Sequence, residues 1–105
     1  MLNKQYELRY LPLFYEDLEK AANHIADNLN NPQAALDLIN AVEEAILDRS
    51  TCAESFEPYP STRDRDNPYY AIYVKNYTIY YVVLDHRIME VRRCLYNGQD
   101  REKIL

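Results

Sequence analysis

From residue 69 to 96 nearly every second position is aromatic or β-branched, and two short polar breaks, Lys75-Asn76 and Asp85-His86, divide the run into three strands. Side chains alternate across a strand, so each run separates into two faces. In 69–75, Tyr70, Ile72 and Val74 oppose Tyr69, Ala71, Tyr73 and Lys75. In 77–84, Tyr77, Ile79, Tyr81 and Val83 oppose Thr78, Tyr80, Val82 and Leu84. In 87–96, Met89, Val91, Arg93 and Leu95 oppose Ile88, Glu90, Arg92 and Cys94. The breaks are too short for anything but tight hairpins, and asparagine tolerates the left-handed backbone such turns use. The pattern predicts an antiparallel meander.

Upstream the period changes. Residues 5–10 alternate and predict a short strand. Phe14, Leu18, Ala21, Ala22, Ile25 and Leu29 recur at helical spacing, which predicts a helix over 12–29 with Pro12 in its first turn. Asn30-Asn31-Pro32 is a stop and a restart. Asn31 is placed to cap a second helix, Pro32 to open it, and Ala35, Leu38, Ile39, Val42, Ala45 and Ile46 to form its stripe as far as about residue 49. So short a connection folds the two helices into an antiparallel hairpin. Neither helix can bury its stripe alone, so the sheet must cover both. Residues 50–68 carry three prolines and read as a long loop, pinned by Phe56 and Tyr59, with Arg63 and Arg65 in a solvated turn. Gly98 marks the exit from the last strand and the final DREKIL reads as a short tail. The expected fold class is α+β in the order β-α-α-β-β-β, a helical hairpin packed on a small antiparallel-meander sheet. A chain of 105 residues is expected to make a single domain over 1–105.

Charge adds an asymmetry. The net charge is −5, yet through Ser55 only Lys4, Arg9, Lys20 and Arg49 stand against ten acids. After Ser55 the bases slightly outnumber the acids, so an anionic partner would meet the second half. A generic nucleic-acid binder would be more basic overall. No apolar run is long enough to span a bilayer, and Met1 to Gln5 has no signal-peptide core. Cys52 and Cys94 lie far apart with no CxxC, so two free thiols in a reducing cytoplasm are expected.

Candidate chemistry is sparse. His24 and His86 are the only histidines, and no metal-ligand spacing exists, so no metal or cofactor is expected. Cys94 on a strand reads as a packed apolar residue. The helix carboxylates are expected on the solvent face, which leaves no paired-carboxylate site. The eleven tyrosines are the compositional oddity. Tyr70, Tyr77 and Tyr81 suit the core, whereas Tyr69, Tyr73 and Tyr80 would form an outward set offered to a protein partner. Arg92 and Arg93 point to opposite faces: one is expected solvated or facing a ligand, the other paired with an acid at the core edge. A slip of one residue would exchange them.

Strand, helix hairpin, long loop, meander and the segment from Arg93-Cys94-Leu95-Tyr96 through Asp100 together resemble the RelE/ParE superfamily of type II toxin–antitoxin toxins, a plasmid stabilisation family. The likeness covers the whole chain. Its most specific pieces are Asn31-Pro32 with Ala34-Ala35, Val74-Lys75-Asn76-Tyr77 with Tyr80-Tyr81, and Arg93 through Asp100. The resemblance implies a small cytoplasmic toxin neutralised by a cognate antitoxin, which wraps its sheet and helix surfaces and supplies the only contact with DNA. RelE-like members cut mRNA on the ribosome without metal; ParE-like members poison DNA gyrase. Metal-free cleavage needs cations around the pentacovalent phosphate. The positions that are basic in RelE-like toxins correspond to Ala71, Tyr73, Thr78 and Gln99 here; the usual GKR is Asn97-Gly98-Gln99, and Tyr70 stands where an arginine is frequent. The ParE-like branch is therefore favoured, acting by protein binding. The alternatives are a ribosome-dependent mRNA endonuclease with Arg92, Arg93 and Tyr96 as catalytic candidates, and an attenuated module that only binds its antitoxin. The expected target- or antitoxin-binding residues are Tyr69, Tyr73, Thr78, Tyr80, Arg92, Tyr96, Gln99 and Arg101. A homodimer is left open.

Overall fold

The computed structural model describes residues 5–60 and 67–98. Its elements follow the order expected: β1 (Glu7–Tyr10), α1 (Pro12–Asn23), α2 (Pro32–Arg49), β2 (Tyr70–Val74), β3 (Tyr77–Leu84) and β4 (Ile88–Tyr96). The last three form the antiparallel meander. β1 joins it at the far side, parallel to β4, which makes a four-stranded mixed sheet in the order β1-β4-β3-β2. The helical hairpin carries the chain across the sheet from β1 to β2 at the opposite edge.

Local chemistry sets the helix boundaries. Pro12 opens α1 and Pro32 opens α2, where a missing N–H costs nothing. Asn31 Oδ1 accepts from the Ala34 N–H at 3.1 Å, the expected N-cap. The first helix departs from expectation over its last turn. It is α-helical only to Asn23 and continues as a π-turn over His24–Asn28, closed by the Leu29 N–H on the His24 carbonyl at 3.3 Å. Asn30, at φ 51°, then reverses the chain. Leu29, expected in the stripe, is 62% exposed, because the wider π-turn carries it off the α-helical face. The meander turns use the left-handed region at Lys75, Asp85 and His86, each at φ 54°.

The main core lies between the helices and one sheet face. Phe14, Ala21, Leu38, Val42 and Ile46 pack against Ile72, Val74, Tyr77, Ile79, Tyr81, Met89, Val91 and Cys94. Burying a side chain of this kind contributes roughly 1.5–3 kcal/mol. The opposite sheet face is covered as well. Tyr69, Tyr80, Val82 and Leu95 form a second cluster, with Tyr59 packed against it from the long loop. The Tyr59 N–H reaches the Tyr69 carbonyl at 2.6 Å, so Tyr59 pins this loop as expected. Phe56 instead stays half exposed, with the Arg49 guanidinium 3.6 Å from its ring centre. Arg63 and Arg65 lie outside the described residues.

β3 is therefore buried on both faces, which accounts for its unbroken apolar reading. This corrects the outward tyrosine set. Tyr73 is 70% exposed, but Tyr69 and Tyr80 are 8% and 0% exposed, because the loop closes over their face. A second correction concerns β4. Tyr80 lies opposite Arg93 and Tyr81 opposite Val91, so Arg92 is an extra residue in a β-bulge. The bulge flips the alternation: after Met89 and Val91 it is Cys94, not Arg93, that enters the helix-side core. Leu95 goes to the other cluster.

Candidate functional site at the open end of the sheet

The bulge sends the two arginines to different carboxylates. β1 ends opposite Val91, where the Leu11 N–H donates to the Val91 carbonyl at 3.0 Å. Beyond that point Asp17 of α1 takes over the edge of β4. Asp17 Oδ2 accepts from the Cys94 N–H at 3.0 Å and from Arg93 Nε at 2.7 Å, while Oδ1 accepts from Arg93 Nη2 at 2.9 Å. One carboxylate thus completes a sheet edge and neutralises a guanidinium. The Asp17 contact raises the Arg93 pKa further, against the pull of partial burial. Arg92 suffers a larger loss from burial, yet its pKa also ends raised, because Tyr69 and Glu90 bind it. Arg92 Nε donates to Glu90 Oε1 at 2.9 Å, and its guanidinium carbon lies 5.9 Å from the Tyr69 ring centre.

The expectation that helix carboxylates face solvent fails at Asp17, whose side chain is only 10% exposed. A signal was present: Asp17 lies three residues after Phe14 and four before Ala21, on the buried stripe itself. Arg49 was missed in the same way, three residues after Ile46. Its Nη1 donates to the Tyr81 hydroxyl at 3.0 Å and to the Ala71 carbonyl at 3.3 Å. The Tyr81 hydroxyl in turn donates to the Ala53 carbonyl at 2.7 Å, tying the loop to the sheet. Nearby, Glu54 accepts from the Tyr6 hydroxyl at 2.6 Å and from His86 Nδ1 at 2.7 Å. No sequence spacing announced that contact, which joins three separate segments.

Tyr96 ends β4 half exposed, its ring edge-on to Tyr77 at 5.6 Å between centres. A Cβ at Gly98 would stand 2.9 Å from Tyr96 Cε2, so glycine is what lets that ring lie against the turn. The turn is fastened by Asn97, whose N–H reaches the Asn76 carbonyl at 2.9 Å and whose Oδ1 accepts from Thr78 Oγ1 at 2.6 Å. Between this end of the sheet and α1 opens a cleft of about 460 Å³, lined by Asp17, Lys20, Ala21, His24, Tyr77, Arg93, Cys94 and Tyr96. It brings together Arg93 and Tyr96 of the expected catalytic set, but not Arg92. Of the expected binding set, Tyr73 and Tyr96 are exposed, Arg92 is partly so, and Tyr69, Thr78 and Tyr80 are buried. Gln99 and Arg101 lie outside the described residues. Burial, with some help from Asp17, pushes the Cys94 thiol up to about 12, so it stays protonated and unreactive near neutral pH. Among the described residues no group of three or more His, Cys, Asp or Glu side chains is placed to hold a metal ion.

The family model for the ParE toxin of the type II toxin–antitoxin system parDE matches residues 8–101. The chain belongs to the ParE toxin family. The likeness seen in its motifs is thereby confirmed, with ParE the branch. The fold of this ParE-family chain is similar to that of a solved chain described as the chromosomal ParDE TA system from P. aeruginosa. The two align with a TM-score of 0.71 over 88% of this chain and 96% of the other, at 15% sequence identity. So low an identity speaks for the shared fold alone. None of the curated proteins compared matches the chain. Among the described residues of this ParE-family member, no helix is long and apolar enough to cross a membrane.

Proposed function

We propose that this ParE-family toxin acts in the cytoplasm by binding DNA gyrase as a protein ligand, and that a cognate antitoxin neutralises it. The observation that carries the non-catalytic reading is the state of the two β4 arginines. Stabilising a pentacovalent phosphate takes cations free to meet new negative charge. Arg93 is held by both oxygens of Asp17, and Arg92 by Glu90. Releasing Arg93 to a phosphate would strand the Asp17 carboxylate, only 10% exposed, and releasing Arg92 would leave Glu90, 9% exposed, with only the longer 3.8 Å contact to Arg9. Of the expected binding tyrosines, Tyr73 and Tyr96 remain on the surface, and they are of the type that anchors protein interfaces.

The test is a supercoiling assay. Micromolar purified protein is expected to abolish supercoiling by gyrase, and the product of a neighbouring antitoxin gene to restore it. Undiminished supercoiling would remove gyrase as the target. In parallel, primer extension on translated mRNA is expected to show no codon-positioned cuts. Cuts that disappear in Tyr96→Phe would establish the nuclease alternative. Growth unaffected by induction of the chain alone would leave only the antitoxin-binding module.

A further inference from the structure

The helical layer of this chain repels anions almost everywhere, with one local exception. Lys20 is the only base between Arg9 and Arg49, and it lines the same cleft as Arg93. Among the lining side chains Asp17 cancels one of these two charges and leaves an excess of one positive charge, while Glu16, one turn before Lys20, also acts on Arg93 from outside the lining. The Asp17 contact uses Nε and Nη2 of Arg93. Nη1 lies on the other side of the planar guanidinium, away from that contact. His24, one turn beyond Lys20, contributes a further group. Its Nδ1 pairs with the Asn28 side-chain amide at 2.9 Å. His24 is also the first residue of the π-turn, a distortion of the kind found where helices serve a site. The remaining wall is apolar, made of Ala21, Cys94 and the Tyr77 and Tyr96 rings.

We propose that this cleft receives an acidic side chain of a partner peptide, its carboxylate against Lys20 and Arg93 and its apolar neighbour against the Tyr77 and Tyr96 rings. One excess positive charge matches a carboxylate monoanion. A phosphate dianion would meet the Asp17 carboxylate in the same wall with nothing to offset its second charge. The surrounding acidic helices make the site selective, since away from Arg49 at the end of α2 an acidic segment is repelled from the rest of the helical layer. The choice of a peptide over a nucleotide rests on the protein-binding function proposed above.

The experiment titrates the isotopically labelled full chain, followed through its backbone amide resonances, with three probes. These are acetyl-Phe-Asp-amide, acetyl-Phe-Asn-amide and inorganic phosphate. The aspartyl probe is expected to bind in the millimolar range and to shift the amides of Ala21, Arg93 and Cys94. The asparaginyl probe is expected to bind about three- to tenfold more weakly, the loss of one charge-assisted contact. Lys20→Glu should weaken the aspartyl probe by a similar factor with its thermal midpoint unchanged, because Lys20 is exposed. Lys20→Gln gives the same comparison without a reversed charge. Equal binding of the two peptides, shifts centred elsewhere, tighter binding of phosphate, or indifference to both Lys20 variants would each overturn the proposal. The titration needs neither gyrase nor antitoxin. Its failure would leave the supercoiling result standing, and a failed supercoiling assay would leave the peptide site standing.

Discussion

Asp17→Ala is expected to lower the unfolding free energy by about 3–5 kcal/mol, the usual cost of removing one partner of a buried ion pair. The residue does two jobs at once. Its loss strands the Arg93 guanidinium, 20% exposed, without a counter-charge, and leaves the Cys94 N–H without an acceptor at the sheet edge. A small domain has only about 5–15 kcal/mol of stability, so the variant should be close to unfolding at growth temperature. Asp17→Asn keeps an oxygen for the Cys94 N–H and is expected to fall between the variant and the parent. The double change Asp17→Leu with Arg93→Met is expected to recover only the charge part of the loss, because an apolar pair of similar volume removes both desolvated charges together while the Cys94 N–H stays without its acceptor. Urea unfolding at neutral pH measures all four proteins. A loss below about 1 kcal/mol for Asp17→Ala would place the pair among ordinary surface salt bridges.

The elements themselves were legible because each was marked by its own local chemistry. Asn31-Pro32 announced both the stop and the new start, and the alternation of 70–84 announced a hairpin. The errors came where two elements act on each other. The outward placement of Tyr69 and Tyr80 followed correctly from period two, but whether the face they share meets water depends on a loop that carries no periodicity. The side of Arg93 followed from unbroken alternation, which a single bulge at Arg92 reverses. Asp17 was discounted because it is a carboxylate on an acidic helix, although its spacing from Phe14 and Ala21 places it on the buried stripe. Charge type was allowed to outweigh position. In this fold position wins, because a guanidinium waits at that place. The site was therefore read as two arginines of unknown partner, when its organising residue sits on the first helix, 76 positions away from Arg93 in the chain.

The same burial makes the protein sensitive to alkali. Cys94 moves from an ordinary value of 9.0 to about 12, through burial and then the Asp17 charge. Tyr6 moves from 10.0 to about 12, through burial and then its bond to Glu54. Burial raises Tyr10, Tyr77 and Tyr81 too, although Arg49 offsets part of the effect at Tyr81. All five are acids whose neutral form the fold prefers. The unfolded chain therefore releases these protons at lower pH than the folded one, and stability must fall as pH rises. The contribution is intact below pH 9, where the unfolded thiol is still protonated. It declines from there and is exhausted only near pH 12, where the folded groups ionise as well. For Cys94 alone the shift corresponds to about 3–4 kcal/mol over that window. Urea midpoints followed from neutral to strongly alkaline pH should be flat at first and then drop steeply. In Cys94→Ala the onset should move up by about one pH unit, to where the tyrosines of the unfolded chain begin to ionise. A midpoint that stays constant through this range, or an onset unchanged in Cys94→Ala, would show that the thiol is not buried in the helix-side core.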